Sequence, residues 1–255
     1  MSPARAPYRA GVPFTPSHVA AVLPLLRTPL PAAALVVGSI SPDIPYYLPG
    51  ARHWPTHTAW AVPTVDLALG ALAWVLWHGL LCGAVVHLAP RWVRARLAGR
   101  VVVGLAPRVR SARQVALVAA ALVVGAATHV LWDDFTHAGR WGTAHVPVLA
   151  ERWAGLAGYR WAQYAGGVLG AVLVVWWVRR WWRRTPAVAV PVRPRSPLVW
   201  GALSGAATAA GVLAALRGGE VRAAVFAGAT AGGAALLLGL VLTSLALRVA
   251  GRTGG

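Results

Sequence analysis

Long stretches without charged residues recur along this 255-residue chain and constrain its fold more than any other feature. They cover residues 28–42, 114–132, 161–178, 197–216 and 223–247. Several approach the ~20 residues that a helix needs to cross the hydrocarbon core of a bilayer. Only 12% of all residues are charged, against about a quarter in soluble domains. The sequence therefore predicts an all-α, polytopic bundle of membrane helices.

The positive charge of the chain is concentrated in two loops between these stretches. All 24 basic residues are Arg; seven lie in 91–113 and six in 179–196. Arg-rich loops mark the cytoplasmic side of membrane proteins and suit anionic lipid headgroups. We therefore predict a multi-pass protein of the cell membrane whose partner is the bilayer, with 49–60 and 133–160 outside. Nucleic acid is excluded as a partner despite the net charge of +18.

Composition divides the chain into four parts. These are an N-terminal segment (1–17), a membrane domain (18–182), an Arg- and Pro-rich cytoplasmic linker (183–196) and a Gly- and Ala-rich helical hairpin (197–255). In the hairpin, two pairs of glycines have the four-residue spacing that lets helix backbones approach closely. The pairs are Gly201/Gly205 and Gly228/Gly232. We expect the hairpin to serve packing and the membrane domain to carry the chemistry.

The start of the membrane domain has two interpretations. Residues 18–26 and 32–40 are short apolar stretches separated by prolines, which favours a tight helical hairpin packed against other helices. The bundle then has about five to seven membrane helices and an external N-terminus. The alternative is a single span over 28–48 with a cytoplasmic N-terminus. Too few Arg residues flank this region for loop charge to decide.

The stretch ATHVLWDDFTH, residues 127–137, places two Asp and two His at the end of an apolar helix. The four-residue spacing puts His129, Asp133 and His137 on one helix face, where they are candidate ligands of one divalent cation. Asp134 is rotated by roughly 100° from Asp133 and is a candidate cap or general base. The alternative is a polar helix end at the membrane interface that binds no metal.

Further His and Asp residues fall on the same side of the predicted topology. Asp43 lies between prolines in the rigid turn SISPDIPYY, and HWPTHTAW contributes His53 and His57. His18 joins them if the N-terminal hairpin opens outward. Ionisable groups at membrane depth are costly and mark functional sites. Together with residues 129–137, they predict a divalent-metal site at the outer membrane interface.

Four motifs carry a resemblance to a known family: PFTPSHVAAVLPL, GSISPDIPYYL, THTAW and GAATHVLWDDFTH. In this order they resemble a family of bacterial integral membrane proteins that is known only as a domain of unknown function. They are also distantly similar to the bacterial membrane-bound metal-dependent hydrolases. The resemblance covers about residues 12–178. It implies that the metal ligands are His18, Asp43, His57, His129 and Asp133.

The chain departs from the hydrolases at two points. They carry a second Asp and a His after Pro-Asp, where this chain has Pro45 and Tyr46. Their Thr-His-Ser is Thr-His-Thr here, ending at Thr58. We therefore expect one metal ion and not a binuclear centre.

The resemblance implies a metal-dependent hydrolase, and a site at the outer interface would suit a lipid-like ester or phosphoester, an amphiphilic small molecule, as substrate. Its cofactor is a divalent metal, with Zn²⁺ preferred, and a coordination position left to water would lower that water's pKa towards ~7. Asp134 or Asp66 is the expected general base. Gln163 and Tyr164 begin the helix 161–178 on the site side, as candidate contacts to substrate or ligands.

Two other functions fit the composition. A proton-coupled transporter would use Asp66, His78 and Asp133 as a relay, although the polar residues gather at one face and do not line a path. A purely structural metal site would only tie the helical hairpins together. The single Cys82 lies in an apolar stretch, which excludes disulfides and a Cys-based metal cluster.

Overall fold

The computed structural model describes residues 15–101, 103–191 and 196–253, and this part of the chain is almost entirely helical. Its α-helices are α1 (Thr15–Val22), α2 (Ala32–Ile40), α3 (Leu67–Leu76), α4 (Cys82–Leu88), α5 (Arg91–Leu97), α6 (Ala112–Thr136), α7 (Trp141–His145), α8 (Pro147–Ala150), α9 (Gly158–Arg184), α10 (Ser196–Leu216) and α11 (Val221–Thr253). Strands β1 (Arg152–Trp153) and β2 (Leu156–Ala157) form a small antiparallel hairpin. The predicted all-α class is confirmed. Most of the N-terminal segment and part of the Arg- and Pro-rich linker lie outside the described residues.

Within the described residues, five segments are long and apolar enough to cross a membrane. They are Val62–Leu88, Ala112–His145, Gly158–Arg184, Ser196–Leu216 and Val221–Ala250. The first begins with a π-helical turn, Val62–Asp66, and a second, Trp77–Leu81, joins α3 to α4. In the last three, at most 11% of the most apolar window is buried inside the chain. Apolar surface on this scale is unfavourable in water but is stable in contact with lipid. The chain is therefore a multi-pass membrane protein.

Two short helices form the N-terminal hairpin. α1 continues as the 3-10 turn Leu23–Arg27, and α2 begins directly after Pro31. Proline has a fixed φ and no N–H, so it ends one helix and permits the next. Leu35 and Leu122 lie in the buried core that joins this hairpin to α6. The structure thus has the hairpin and not a single span over 28–48.

Glycines let α2 lie directly against α6. A Cβ on Gly38 would collide with the backbone carbonyl of Leu122, and a Cβ on Gly125 would collide with the carbonyl of Leu35. Backbones can approach this closely only where side chains are absent. The contact holds the end of α2 against the C-terminal half of α6, which carries His129 and Asp133.

The C-terminal helices α10 and α11 pair as the predicted hairpin. Gly228 and Gly232 lie against the backbone of α10, as their spacing predicted. A Cβ on Gly201 or Gly205 would meet nothing within 4 Å, so the close approach predicted for that pair is wrong. The four-residue spacing shows that two glycines share a helix face, but not which face meets the partner helix.

The two Arg-rich segments meet at one end of the bundle. The Val188 amide donates to the Ala95 carbonyl at 2.9 Å, and the rings of Trp92 and Trp182 are 5.1 Å apart. Arg94 is buried and donates to backbone carbonyls from both parts of the chain. The segments therefore lie on the same side of the membrane. α6 begins near this end and carries its polar residues at the far one.

Candidate metal centre

The last turns of α6 bring two buried side chains to one face. His129 is fully buried and Asp133 is 4% exposed, and His129 Nε2 lies 3.6 Å from Asp133 Oδ2. Residues four apart on a helix are expected to meet in this way. α6 ends at Thr136, so His137 is no longer helical, but its Nδ1 lies 3.3 Å from Asp133 Oδ1.

The Pro-Asp turn delivers a second carboxylate. Ser41–Tyr47 is a 3-10 turn with prolines at its start and in its interior, which make it rigid. The Thr15 hydroxyl donates to Asp43 Oδ2. The other oxygen, Oδ1, faces His57 at 3.1 Å and His129 at 3.6 Å. The Asp43 carboxylate therefore lies next to the side chain of His129 near the end of α6.

His57 has a backbone conformation that L residues rarely adopt. Its φ is 63°, in the left-handed region that costs a non-glycine residue about 1–2 kcal/mol. Arg140 donates to the His57 carbonyl, and the residue is only 3% exposed. Strain retained at a buried residue with a reactive side chain is typical of functional sites. Here the turn directs His57 Nε2 towards Asp43.

Four donor atoms surround one small volume: His57 Nε2, His129 Nε2, Asp43 Oδ1 and Asp133 Oδ2. His57 Nε2 lies 3.1 Å from the Asp43 oxygen and 3.6 Å from the Asp133 oxygen. His129 Nε2 lies 3.6 Å from each of the two oxygens. Ligand atoms about 2.0–2.2 Å from a tetrahedral zinc ion are about 3.3–3.6 Å apart. Three of the four distances lie within this range and the fourth is shorter, so these nitrogen and oxygen atoms have the short spacing of metal ligands.

Hydrogen bonds at the other ring nitrogens set how both histidines face this volume. His129 Nδ1 donates to the Ser39 carbonyl at 2.8 Å, and His57 Nδ1 lies 2.9 Å from the Thr56 hydroxyl. The carbonyl of Ser39 can only accept, so the proton of neutral His129 is on Nδ1 and its Nε2 carries a lone pair that can bind a metal ion. His57 Nε2 is within hydrogen-bonding distance of Asp43 Oδ1. His129 Nε2 has no hydrogen-bond partner among the described residues, as a metal-binding nitrogen requires.

His18, in α1, adds a further donor. Its ring stacks on His129 with 3.8 Å between the centroids, and its Nε2 lies 3.6 Å from Asp133 Oδ1. One ligand atom from each of His18, His129 and Asp133 lies within 4.8 Å of the others. The same holds for Asp43, His57 and His129. Because the two groups share His129, these five residues form one cluster, which we call the His/Asp cluster.

The surroundings set the protonation states of His18 and Asp43. Burial and the neighbouring His129 lower the pKa of His18 to about 4. Burial by itself would raise the pKa of Asp43, but His129 and His57 lower it to about 2. At neutral pH, His18 is therefore neutral and Asp43 is ionised. These are the forms that bind metal ions.

His137 lies beside the His/Asp cluster. It belongs to neither group of three, and its side chain is 22% exposed. Its Nε2 is 2.9 Å from the Gln163 amide nitrogen, so Nε2 accepts there while Nδ1–H points to Asp133. In this arrangement His137 orients the Asp133 carboxylate. Gln163 is buried at the site, as its position in the sequence suggested, whereas Tyr164 is 36% exposed.

The two candidate general bases differ in their surroundings. Asp66 is fully buried, and its carboxylate faces the backbone of His57. His57 and His129 are its main electrostatic neighbours, which places it next to the His/Asp cluster. Asp134 is half-buried and lies outside both groups of three.

The remaining histidines do not join the His/Asp cluster. His53 is exposed in its loop. His78 is buried, with its ring 4.8 Å from that of Trp74. It follows Asp66 by twelve positions on a continuous helical segment, or roughly 18 Å. The structure therefore does not bring the residues of the predicted relay together.

Three residues that were not predicted for the site hold its ligands in place. Thr15 donates to Asp43, the Ser39 carbonyl accepts from His129, and Arg140 donates to the carbonyl of His57. Thr15 stands in the motif TPSH, three positions before His18, which is a signal that sequence reasoning can use. A backbone carbonyl such as that of Ser39 leaves no such signal.

The chain matches a known protein family. A family model described as a domain of unknown function (DUF4184) matches residues 12–245. No curated protein and no solved structure matches the chain. The distant similarity to the bacterial hydrolases thus remains a resemblance of motifs.

Proposed function

The chain belongs to DUF4184, a family defined as a domain of unknown function, and we propose from its site that it is a metal-dependent membrane hydrolase of a lipid-like ester or phosphoester. The close spacing of imidazole nitrogens and carboxylate oxygens in the His/Asp cluster carries this proposal. Imidazole nitrogens with carboxylate oxygens suit Zn²⁺, and two carboxylates balance its charge.

The arrangement supports a catalytic site over a purely structural one. A structural zinc site is closed by four ligands. The His/Asp cluster offers five residues, and the buried carboxylate of Asp66 lies beside them. The strained backbone of His57 also favours a catalytic site, because a purely structural metal site does not require a strained ligand residue.

Each residue then has a role in hydrolysis. A bound metal would supply a Lewis acid and a water whose pKa falls to about 7. Asp66, buried and adjacent, would be placed to act as the general base; Asp134 is the alternative base but lies outside the ligand groups. His137, held by Gln163, keeps Asp133 oriented. This division of roles resembles other metal sites, in which residues behind the ligands fix their orientation.

We also propose that the His/Asp cluster faces the outer side of the membrane. α6 leaves the Arg-rich end at Ala112 and reaches His129 after 17 residues, or roughly 26 Å. This distance approaches the ~30 Å thickness of the hydrocarbon core. Since Arg-rich loops remain in the cytoplasm, the cluster lies near the opposite interface, where esters of membrane lipids are found.

Turnover by the Asp66→Asn variant tests the proposed function. Zinc-loaded protein in lipid nanodiscs should hydrolyse long-chain chromogenic carboxyl esters or phosphoesters. Removing the general base should lower kcat about 10²–10⁴-fold while the zinc content stays unchanged. Asp134→Asn is the matched control and should retain most of the activity. No turnover of either ester class by the zinc-loaded wild-type protein would contradict the proposal.

A further inference from the structure

A long apolar groove of about 580 Å³ runs alongside the His/Asp cluster, between the N-terminal hairpin, α3 and α11. Its walls are almost wholly apolar and include Val36, Ile40, Leu69, Ala73, Leu81 and Leu237. Leu69 and Leu81, twelve positions apart on one helical segment, are separated by roughly 18 Å. Leu72, on the same wall, is 67% exposed, so the groove opens sideways to the bilayer.

One end of the groove is polar and touches the His/Asp cluster. Thr15 and Tyr47 line this end, and their hydroxyls are hydrogen-bonded to each other. The Thr15 hydroxyl also donates to Asp43 Oδ2. The opposite oxygen of that carboxylate faces His57 and His129. The Thr15 side chain therefore lies between the groove and the candidate metal ligand Asp43.

The lining and the opening of the groove select its occupant. A volume of about 580 Å³ lies within the range of small-molecule pockets, roughly 300–1,000 Å³. An elongated, apolar space that opens to lipid and has one polar end matches a single extended hydrocarbon chain with a polar headgroup.

We propose that this groove binds the hydrocarbon chain of a single-chain amphiphile and presents its polar headgroup to the His/Asp cluster. The reaction at that headgroup rests on the proposed function, whereas binding of the chain does not. Ala73 lines the groove between its two ends, so its small side chain sets how far the hydrocarbon chain reaches. A larger side chain there shortens the groove and leaves the ligands untouched.

Photo-cross-linking tests the proposal. The probe is hexadecyl phosphate with a photoreactive diazirine at the chain end, added to the full-length protein in nanodiscs. Mass spectrometry should place the label on Trp77 and Leu81, at the end away from Thr15. Ala73→Trp should lower this labelling at least about tenfold, because it excludes several methylene groups. Val75→Trp is the matched control, since Val75 is 45% exposed on the same helix and does not line the groove.

Two further outcomes separate this inference from the proposed function. The metal-depleted His129→Ala variant should still label in the groove, because chain binding does not need the metal. Groove labelling without metal or turnover in the wild-type protein would overturn the proposed function and support the inference.

Equal labelling on the outer faces of α9, α10 and α11, unaffected by Ala73→Trp, would mean annular lipid only and would overturn the inference. Hydrolysis that is equally fast for short and long chains would also overturn it.

Discussion

His57 is the least ordinary residue of the His/Asp cluster. Its left-handed backbone, its burial and its carbonyl bond to Arg140 all depend on tertiary contacts. The motif THTAW marks His57 as a candidate but gives no hint of that geometry. His129 and Asp133 differ, because helix spacing alone predicted their common face. As ligands, all of these residues remain predictions until metal is measured.

The pKa values of His18 and Asp43 predict how acid affects the metal-free protein. An unfolded His takes up a proton near pH 6.5 and the folded His18 near pH 4, so the unfolded chain binds more protons between these values. Asp43 acts in the same direction between 3.8 and about 2. The contribution of His18 to stability should therefore decrease by about 2 kcal/mol between pH 7 and pH 5.

Thermal unfolding of the metal-free protein in detergent, followed by circular dichroism, measures this effect. From pH 7 to pH 5, the wild-type midpoint should fall relative to that of His18→Gln, since Gln does not titrate. An equal change in the two proteins, or a larger fall in the variant, would contradict the assigned protonation state of His18.

At the scale of elements, the contact between α2 and α6 does most to position the cluster. Gly38 and Gly125 let the two backbones touch, and the Ser39 carbonyl reaches His129 across this contact. The long apolar stretches predicted the five membrane segments because hydrophobic length is a local property. The π-helical turns of the first segment have no such signature, since tertiary packing selects them. The pair Gly201/Gly205 also shows that a local sequence pattern does not determine which helix face is packed, because neither glycine contacts another helix closely.

Gly125→Ala should therefore harm both the fold and the site. Its Cβ would meet the backbone of α2, and overpacking of this kind costs about 1–3 kcal/mol. The thermal midpoint and the zinc content should both fall. Gly201→Ala adds the same methyl group where nothing lies within 4 Å, and it should leave zinc unchanged and stability equal or higher. Equal effects of the two variants would contradict the proposed packing.

At the scale of the whole molecule, membrane orientation decides which compartment the His/Asp cluster serves. Cys82 is buried, so added cysteines can be labelled against a low background. Trp54→Cys and Val148→Cys lie in exposed parts of the predicted outer segments, and Arg110→Cys lies in an Arg-rich one. In intact cells, an impermeant thiol reagent should label the first two variants and spare the third. Labelling of Arg110→Cys alone would invert the topology.

Metal content tests the central claim most directly. Wild-type protein, purified without chelator and analysed by plasma mass spectrometry, should contain about one zinc ion per chain. His129→Ala and Asp43→Asn should each lose most of it, because a missing ligand lowers affinity and leaves a buried carboxylate without its cation. His145→Ala, exposed and bonded only within its own turn, should retain it. Wild-type protein without stoichiometric metal, or full zinc content in His129→Ala, would contradict the account.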